Sequence, residues 1–174
     1  MVTCQDIMDV MEEIAPRHLA EDWDNPGLLV GSPAARVERV FVCLDVSDAA
    51  VAQAAACGAQ LIISHHPLIF RPLKALNTAE PLGRRIASLL AHGIAAFAAH
   101  TNLDIAEGGV NDVLARAVGL SHLSAFVITA QAADGHTQSL GRVGTLEASM
   151  RIEDFAARGR AALPGGHVRF VDAG

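Results

Sequence analysis

The chain has 174 residues, a formal net charge of −6, 51% hydrophobic residues and 4% aromatic residues. The acidic balance and the lack of a basic cluster exclude an electrostatic surface for nucleic-acid backbones. No membrane partner is expected, because the longest apolar runs are only as long as strands. The first residues lack the basic and apolar regions of a signal peptide, so we expect a cytoplasmic protein. Three widely spaced cysteines predict reduced thiols and no disulfide framework.

Helices and strands alternate in the first part of the chain. Thr3 can cap an opening helix whose apolar residues recur at helical spacing until Pro16. The pattern then predicts strands over residues 37–44, 61–64 and 93–99, and helices over residues 48–57, 81–93 and 107–118. The strand-helix-strand units have the length of right-handed crossovers. We therefore predict an α/β fold, with a βαβαβ core and a largely parallel mixed sheet flanked by helices.

The character of the sequence changes beyond residue 125. Short strand-like runs occur at residues 127–128, 139–146 and 168–171, and a helix is predicted over residues 152–162. We therefore predict an α/β metal-binding domain at residues 1–125, followed by an α+β segment at residues 126–174. The chain stops at residues 172–174 directly after a strand-like run and without a closing helix. This ending predicts a C-terminally incomplete fold.

Two of the predicted strands lead into metal-binding residue types. Residues 61–64 precede His65 and His66, and residues 93–99 precede a segment that contains Asp104. Ligands in open α/β sheets gather beyond the carboxyl ends of the strands, so we predict that His65, His66 and Asp104 bind metal. Adjacent residues that leave a strand point to opposite sides, which favours two neighbouring ions. Nitrogen and carboxylate donors without a thiolate suit Zn, Mn, Fe, Co or Ni.

Two residues of the second segment are candidates for catalysis, His100 and Asp104. His100 lies four residues before Asp104 and could itself bind metal, but a supporting or substrate-facing role is favoured because metal-binding carboxylates commonly need an orienting partner. The competing interpretation is structural. In that case His65 and His66 are satisfied by backbone groups, and Asp104 caps the next helix.

Three polar residues are candidates for lining a substrate pocket. Asp24 and Asn25 precede a Pro-Gly pair, where such side chains also simply stabilise turns. Asp45 follows a predicted strand at the same edge as His65, although this segment equally suits helix capping. The neighbouring Trp23 is predicted to pack rather than to recognise a ligand.

Five motifs in order carry a resemblance to a known family: residues 23–31, 63–70, 99–104, 108–112 and 141–144. They resemble the Nif-three-like family, whose members are also called GTP cyclohydrolase I type 2 homologues or dinuclear metal centre hexameric proteins. The likeness covers nearly all of the chain. It implies two divalent metal ions, with His65 as a ligand of one ion and His66 and Asp104 as ligands of the other. It also implies a homohexamer, arranged as a toroidal trimer of dimers.

The family pattern includes a further His and a bridging Glu, four residues apart on a helix near the C-terminus. No histidine of this sequence has a glutamate at that spacing. The resemblance therefore implies that the family's C-terminal third, with half of the metal site, is missing from this chain.

The resemblance implies a metal-dependent hydrolase that acts on a small molecule, specifically a purine nucleotide. It leaves open whether this chain is an enzyme. The alternative is a non-catalytic metal-binding or regulatory scaffold that assembles into a ring. A metallophosphoesterase is a third possibility, but its D-x-H and G-N-H-[DE] motifs do not occur in the sequence.

Overall fold

The chain folds into two units, Met1–Ala106 and Glu107–Gly174. A computed structural model describes residues 1–131, 137–163, 165 and 167–171. The first unit contains α1 (Cys4–Ile14), β1 (Gly27–Val30), β2 (Val40–Cys43), α2 (Asp48–Ala56), β3 (Leu61–Ser64), α3 (Pro81–Ala91), β4 (Ala95–Ala98) and α4 (Thr101–Ile105). The second contains α5 (Val110–Ala117), β5 (Ser121–Gln131), β6 (Thr137–Thr145) and α6 (Ile152–Ala162). The boundary predicted after residue 125 falls inside β5, and that domain division stays a prediction.

A four-stranded sheet organises the first unit. Its strand order is β1-β4-β3-β2, in which β2, β3 and β4 run parallel while β1 runs antiparallel to β4. The register pairs Ser64 with Cys43 on one side and with Ala98 on the other. The predicted βαβαβ core and largely parallel mixed sheet are therefore confirmed. The same register brings the residues that follow β3 and β4 to one edge of the sheet.

The first three helices begin where the sequence satisfies or removes unpaired backbone N–H groups. The Thr3 hydroxyl accepts from the Asp6 amide at 3.3 Å, and the Asp6 carboxylate accepts from the Thr3 amide at 2.7 Å. The Ser47 hydroxyl accepts from the Ala50 amide at 3.1 Å at the start of α2. Pro81 opens α3, where its missing N–H costs nothing. These local signals explain why the predicted helices start close to where they do.

Strand β3 is anchored on both faces of the sheet. Leu61 and Ile62 have no exposed surface and belong to different apolar clusters. Ile62 packs in the cluster that contains Leu89 of α3, and Leu61 packs in the cluster that contains Cys4 of α1. Full burial of such a side chain stabilises a fold by about 1.5–3 kcal/mol. The residues directly after β3 therefore stand on a rigid support.

The second unit differs in part from its predicted elements. Helix α6 spans the residues predicted for it, but β5 and β6 pair antiparallel and are longer than the strands predicted there. The strand predicted at residues 168–171 is wrong, because this run pairs with no strand among the described residues. Residues 172–174, which suggested an incomplete end, lie outside the described residues. No helix in the described ranges is long and apolar enough to cross a membrane.

A buried ion pair joins α5 to β6 in the second unit. Arg142 Nε donates to Asp112 Oδ1, and the Gly108 amide donates to Asp112 Oδ2 at 2.6 Å. Only 11% of the Arg142 side chain and 7% of the Asp112 side chain are exposed. Burial alone would raise the pKa of Asp112, but the bonds from Gly108 and Arg142 outweigh it and hold the pKa below its ordinary value. The carboxylate therefore depends on its partners.

We expect Arg142→Ala to lower the free energy of unfolding by about 3–5 kcal/mol, because it removes the hydrogen-bonded counter-charge of a buried carboxylate. Urea unfolding of the full chain measures this change. Arg151→Ala is the control, since it removes an ion pair to Glu153 in which the arginine side chain is 80% exposed. We expect its effect on the free energy of unfolding to be much smaller, because solvent screens exposed ion pairs. Equal losses in the two variants would contradict the assigned role of Arg142.

Candidate metal centre

Three histidines stand at the edge of the sheet where the parallel strands end. His65 and His66 directly follow β3, and His100 comes two residues after β4. The His65 amide donates to the Cys43 carbonyl at 3.2 Å, and the His66 amide donates to the Leu44 carbonyl at 3.0 Å. These bonds continue the pairing of β2 with β3 past the end of the strand. The backbone of both histidines is therefore fixed.

The three imidazole rings form one group. One ring nitrogen from each of His65, His66 and His100 lies within 4.8 Å of the other two. The ring centroids are 5.0 Å apart for His65 and His66, 5.1 Å for His65 and His100, and 5.6 Å for His66 and His100. His65 and His66 do not diverge as the strand alternation predicts, because β3 ends at Ser64 and the alternation ends with it.

His100 is placed differently from its predicted role. The sequence favours a supporting or substrate-facing histidine, whereas its ring nitrogen belongs to the same group as those of His65 and His66. The sequence did contain a signal for this placement, because β3 and β4 both lead into histidines at the same edge of the sheet. The distance between the His100 ring and the other two rings could not be predicted from sequence spacing.

Each of the three rings has its Nδ1 atom bonded to an oxygen. The partners are the Ala99 carbonyl for His65 at 3.0 Å, Asp45 Oδ1 for His66 at 2.8 Å, and Asp24 Oδ1 for His100 at 2.8 Å. A carbonyl or a carboxylate only accepts, so each Nδ1 carries the proton. In the neutral form of such a ring, Nε2 has the free lone pair. This is the arrangement in which histidines bind metals, with the second nitrogen orienting the ring.

Asp104 lies beside this group. Its Oδ1 atom is 3.7 Å from His65 Nε2, and about one fifth of each side chain is exposed. Burial raises the pKa of Asp104, and the negative charge of Asp24 adds to the rise, while His65 and His100 oppose it. The predicted carboxylate donor is thus close to the imidazoles, although it lies outside the tight group of three nitrogens.

Asp24 is a buried supporting residue. Its side chain has no exposed surface, and it accepts hydrogen bonds from His100 Nδ1, from the amide and hydroxyl of Thr101, and from the Asn25 amide at 2.7 Å. Burial alone would raise the pKa of Asp24, but these bonds outweigh it and lower the pKa. Asp24 therefore orients His100, and a pocket-lining role for Asp24 stays a prediction.

The other two predicted pocket residues also make specific bonds. Asn25 Nδ2 donates to the Ile69 carbonyl at 2.7 Å, which ties the loop after α1 to the loop after β3. The Asp45 side chain is 63% exposed and holds the half-exposed His66 ring. A pocket-lining role for either residue stays a prediction.

Asn102 is a supporting residue that the sequence did not indicate. It is buried, its Oδ1 accepts from the His100 amide at 2.9 Å, and its Nδ2 donates to the Ala15 carbonyl at 2.7 Å. It lies in the short helix α4, which is not among the helices predicted from the sequence. A buried asparagine with partners on both ends fixes the turn that presents His100. The motif at residues 99–104 contains this residue but does not reveal its contacts.

Aromatic rings border the group on one side. Trp23 and Phe70 have centroids 6.0 Å apart, and these lie 6.3 Å and 6.4 Å from the centroid of His100. Trp23 was predicted to pack against the protein, but 58% of its surface is exposed, so less than half of it is in contact with other residues.

The comparisons with known proteins identify close relatives of this chain. Proteins called "GTP cyclohydrolase 1 type 2 homolog" match at 40% identity in Halalkalibacterium halodurans, over 72% of this chain and 34% of the relative. The relative in Clostridium perfringens matches at 33% identity, over 95% of this chain and 62% of the relative. The chain therefore spans less than two thirds of the length of these relatives.

Solved structures and a family model agree with this result. A Bacillus cereus protein related to NIF3 matches with a TM-score of 0.72 and 42% identity, over 74% of this chain and 35% of that one. A Staphylococcus aureus protein matches with a TM-score of 0.83 and 28% identity, over 92% of this chain and 65% of that one. The model of the family Duf34/NIF3 (NGG1p interacting factor 3) matches residues 2–174. This chain belongs to the Duf34/NIF3 family.

Proposed function

We propose that this chain binds divalent metal at His65, His66 and His100, with Asp104 beside them, and that it is a metal-dependent hydrolase acting on a purine nucleotide. One observation carries the metal-binding part. All three imidazoles use Nδ1 for a hydrogen bond, and one ring nitrogen of each lies within 4.8 Å of the other two. Three oriented imidazole rings grouped this closely are costly to arrange for packing alone, and they suit a cation.

The donor set fits a borderline or moderately hard cation. Imidazole nitrogens with a nearby carboxylate suit Zn, Mn, Fe, Co or Ni. Among the described residues, no cysteine sulfur belongs to the group of donors. A thiolate site is therefore disfavoured, and the choice among these five metals depends on availability and on the remaining ligands.

We further propose that two ions bind, as in the family that the sequence resembles. Three imidazoles and one carboxylate are few protein donors for two ions, so other donors must complete both sites. The chain spans 62% of its Clostridium perfringens relative, which leaves room for such donors in a longer protein. A homohexamer, also implied by the resemblance, offers a second source.

Divalent cations in such a site supply a Lewis acid that polarises a substrate oxygen and lowers the pKa of water. The chain's own contribution is positioning. Asp24 holds His100, Asp45 holds His66, and the Ala99 carbonyl holds His65, each at 3.0 Å or less. Asp104, 3.7 Å from His65 Nε2, adds negative charge beside the imidazoles and is the candidate for moving a proton during hydrolysis.

The purine nucleotide substrate rests on the names of the relatives, which are called GTP cyclohydrolase 1 type 2 homologs. The test is metal removal and return. The purified chain is stripped with a chelator, reloaded with Zn, Mn, Fe or Co, checked by elemental analysis, and assayed for GTP hydrolysis by chromatography. We expect bound metal and product only after reloading. Bound metal without product would contradict the hydrolase and favour the metal-binding scaffold.

A further inference from the structure

Two large aromatic side chains stand exposed beside the three histidines. Trp23 is 58% exposed and Phe70 is 45% exposed, and their ring centroids are 6.0 Å apart. The rings meet edge to face, at an interplanar angle of 63°. Neighbouring exposed aromatics leave apolar surface in water, which is characteristic of a surface that a ligand covers. We call Trp23 and Phe70 the aromatic wall.

The wall is held in place by the residues next to it. Asn25 Nδ2 donates to the Ile69 carbonyl at 2.7 Å, so the loop that carries Trp23 is bonded to the loop that carries Phe70. Asp24, the residue after Trp23, accepts from His100 Nδ1 at 2.8 Å. The wall and the metal-binding group are therefore connected by direct hydrogen bonds. A surface that is rigid before a ligand arrives binds it with a smaller loss of entropy.

His100 belongs to both features. Its ring centroid is 5.1 Å from that of His65 within the group, 6.3 Å from that of Trp23 and 6.4 Å from that of Phe70. A molecule with a donor atom at the histidines therefore has the rest of its body within contact of the wall. Flat ring systems gain most from such a position, because they cover aromatic side chains with little loss of internal freedom.

We propose that the aromatic wall binds the planar ring of a heteroaromatic ligand, of nucleobase size, whose oxygen or nitrogen donor is held at the histidine group. This inference rests on the proposed function, since the donor is held through the metal site. It assigns ligand recognition to Trp23 and Phe70, which have no part in holding the cation. A ligand with the same donors but no ring gains nothing from the wall.

The single tryptophan of the chain makes this proposal directly measurable. Trp23 is that residue, so intrinsic fluorescence reports on the wall alone. The zinc-loaded full chain is titrated with GTP and, separately, with inorganic tripolyphosphate, which has the phosphate donors but no ring. We expect GTP to quench the fluorescence and to bind about tenfold more tightly than tripolyphosphate.

Substitutions separate the wall from the metal site. Phe70→Leu keeps the fluorescent reporter, and Trp23→Leu is followed by calorimetry. We expect each to weaken GTP binding about tenfold, with the zinc content and the tripolyphosphate affinity unchanged. Leu90→Ala is the control, because this side chain is 54% exposed on α3 and belongs to neither loop. It is expected to bind GTP as the wild type does.

Equal GTP affinity in the wild type and in both wall variants would overturn the proposal. Fluorescence that changes with protein concentration and not with GTP would also overturn it, since a second copy of the chain would then cover the wall. Elemental analysis of the same samples distinguishes failure of the proposed metal site from failure of the aromatic wall. A chain that takes up no zinc overturns the proposed function as well, whereas a zinc-loaded chain with unchanged affinities overturns the wall alone.

Discussion

Zinc affinity is expected to fall by at least about 100-fold when His100 is replaced by alanine. Loss of an outer partner of a metal ligand already costs about 10–100-fold, and loss of a direct ligand costs more. His100 has this importance because its nitrogen lies within 4.8 Å of those of His65 and His66. Calorimetric titration of the metal-free protein with zinc measures the change.

The control for this experiment is His92→Ala. His92 lies at the C-terminal end of α3, where its Nδ1 bonds to the Ser88 carbonyl at 2.8 Å, and it belongs to no metal-binding group among the described residues. We expect this variant to bind zinc as the wild type does. A loss of only about 10–100-fold in His100→Ala would return His100 to the supporting role that the sequence favoured, and unchanged affinity would contradict any role for it in metal binding.

Asp24→Asn is expected to weaken zinc binding by about 10–100-fold, although Asp24 is not one of the proposed metal ligands. The amide keeps the volume of the side chain but removes the charge and one of the acceptors that hold His100 and Thr101. Asp45→Asn is the matched comparison, because it changes the same kind of bond at a 63% exposed side chain. Solvent can replace that bond, so its loss is expected to be smaller. A larger loss for Asp45→Asn would contradict the assigned importance of Asp24.

Asp24 also makes the free energy of unfolding depend on pH. The hydrogen bonds lower the pKa of Asp24 against the effect of burial. The stabilisation is therefore fully present above the ordinary carboxyl pKa of about 3.9 and is lost as the pH falls through the lower folded value. Urea unfolding of metal-free wild type and Asp24→Asn should show a difference at neutral pH that shrinks in acid. A constant difference would contradict this sign.

Much of the first unit follows from local signals in the sequence. Strand β3 occupies the residues predicted for it, because an uninterrupted apolar run buried on both faces has few alternatives. Helix α4 was missed because it has only five residues, too few to show a helical period. The strand predicted at residues 168–171 rested on apolar composition alone. A strand needs a partner, and composition does not supply one.

The candidate site was predictable in its residue types and less so in its geometry. His65 and His66 were identified because they follow a strand, which is a local pattern. The bond from His100 to Asp24 spans 76 positions, and the bond from His66 to Asp45 spans 21. These contacts set which nitrogen of each ring is protonated, and they depend on how the strands are ordered in the sheet. Sequence spacing therefore gave candidates, and the tertiary fold assigned their roles.

The most direct test of the metal-binding claim is X-ray absorption spectroscopy of the zinc-loaded chain. We predict a first shell of imidazole nitrogens at about 2.0–2.1 Å from the metal, which shrinks when His65 is replaced by alanine. The alternative is zinc bound by thiolates, which the three free cysteines would supply. A shell of sulfur atoms at about 2.3 Å, or a chain that retains no zinc, would contradict the account.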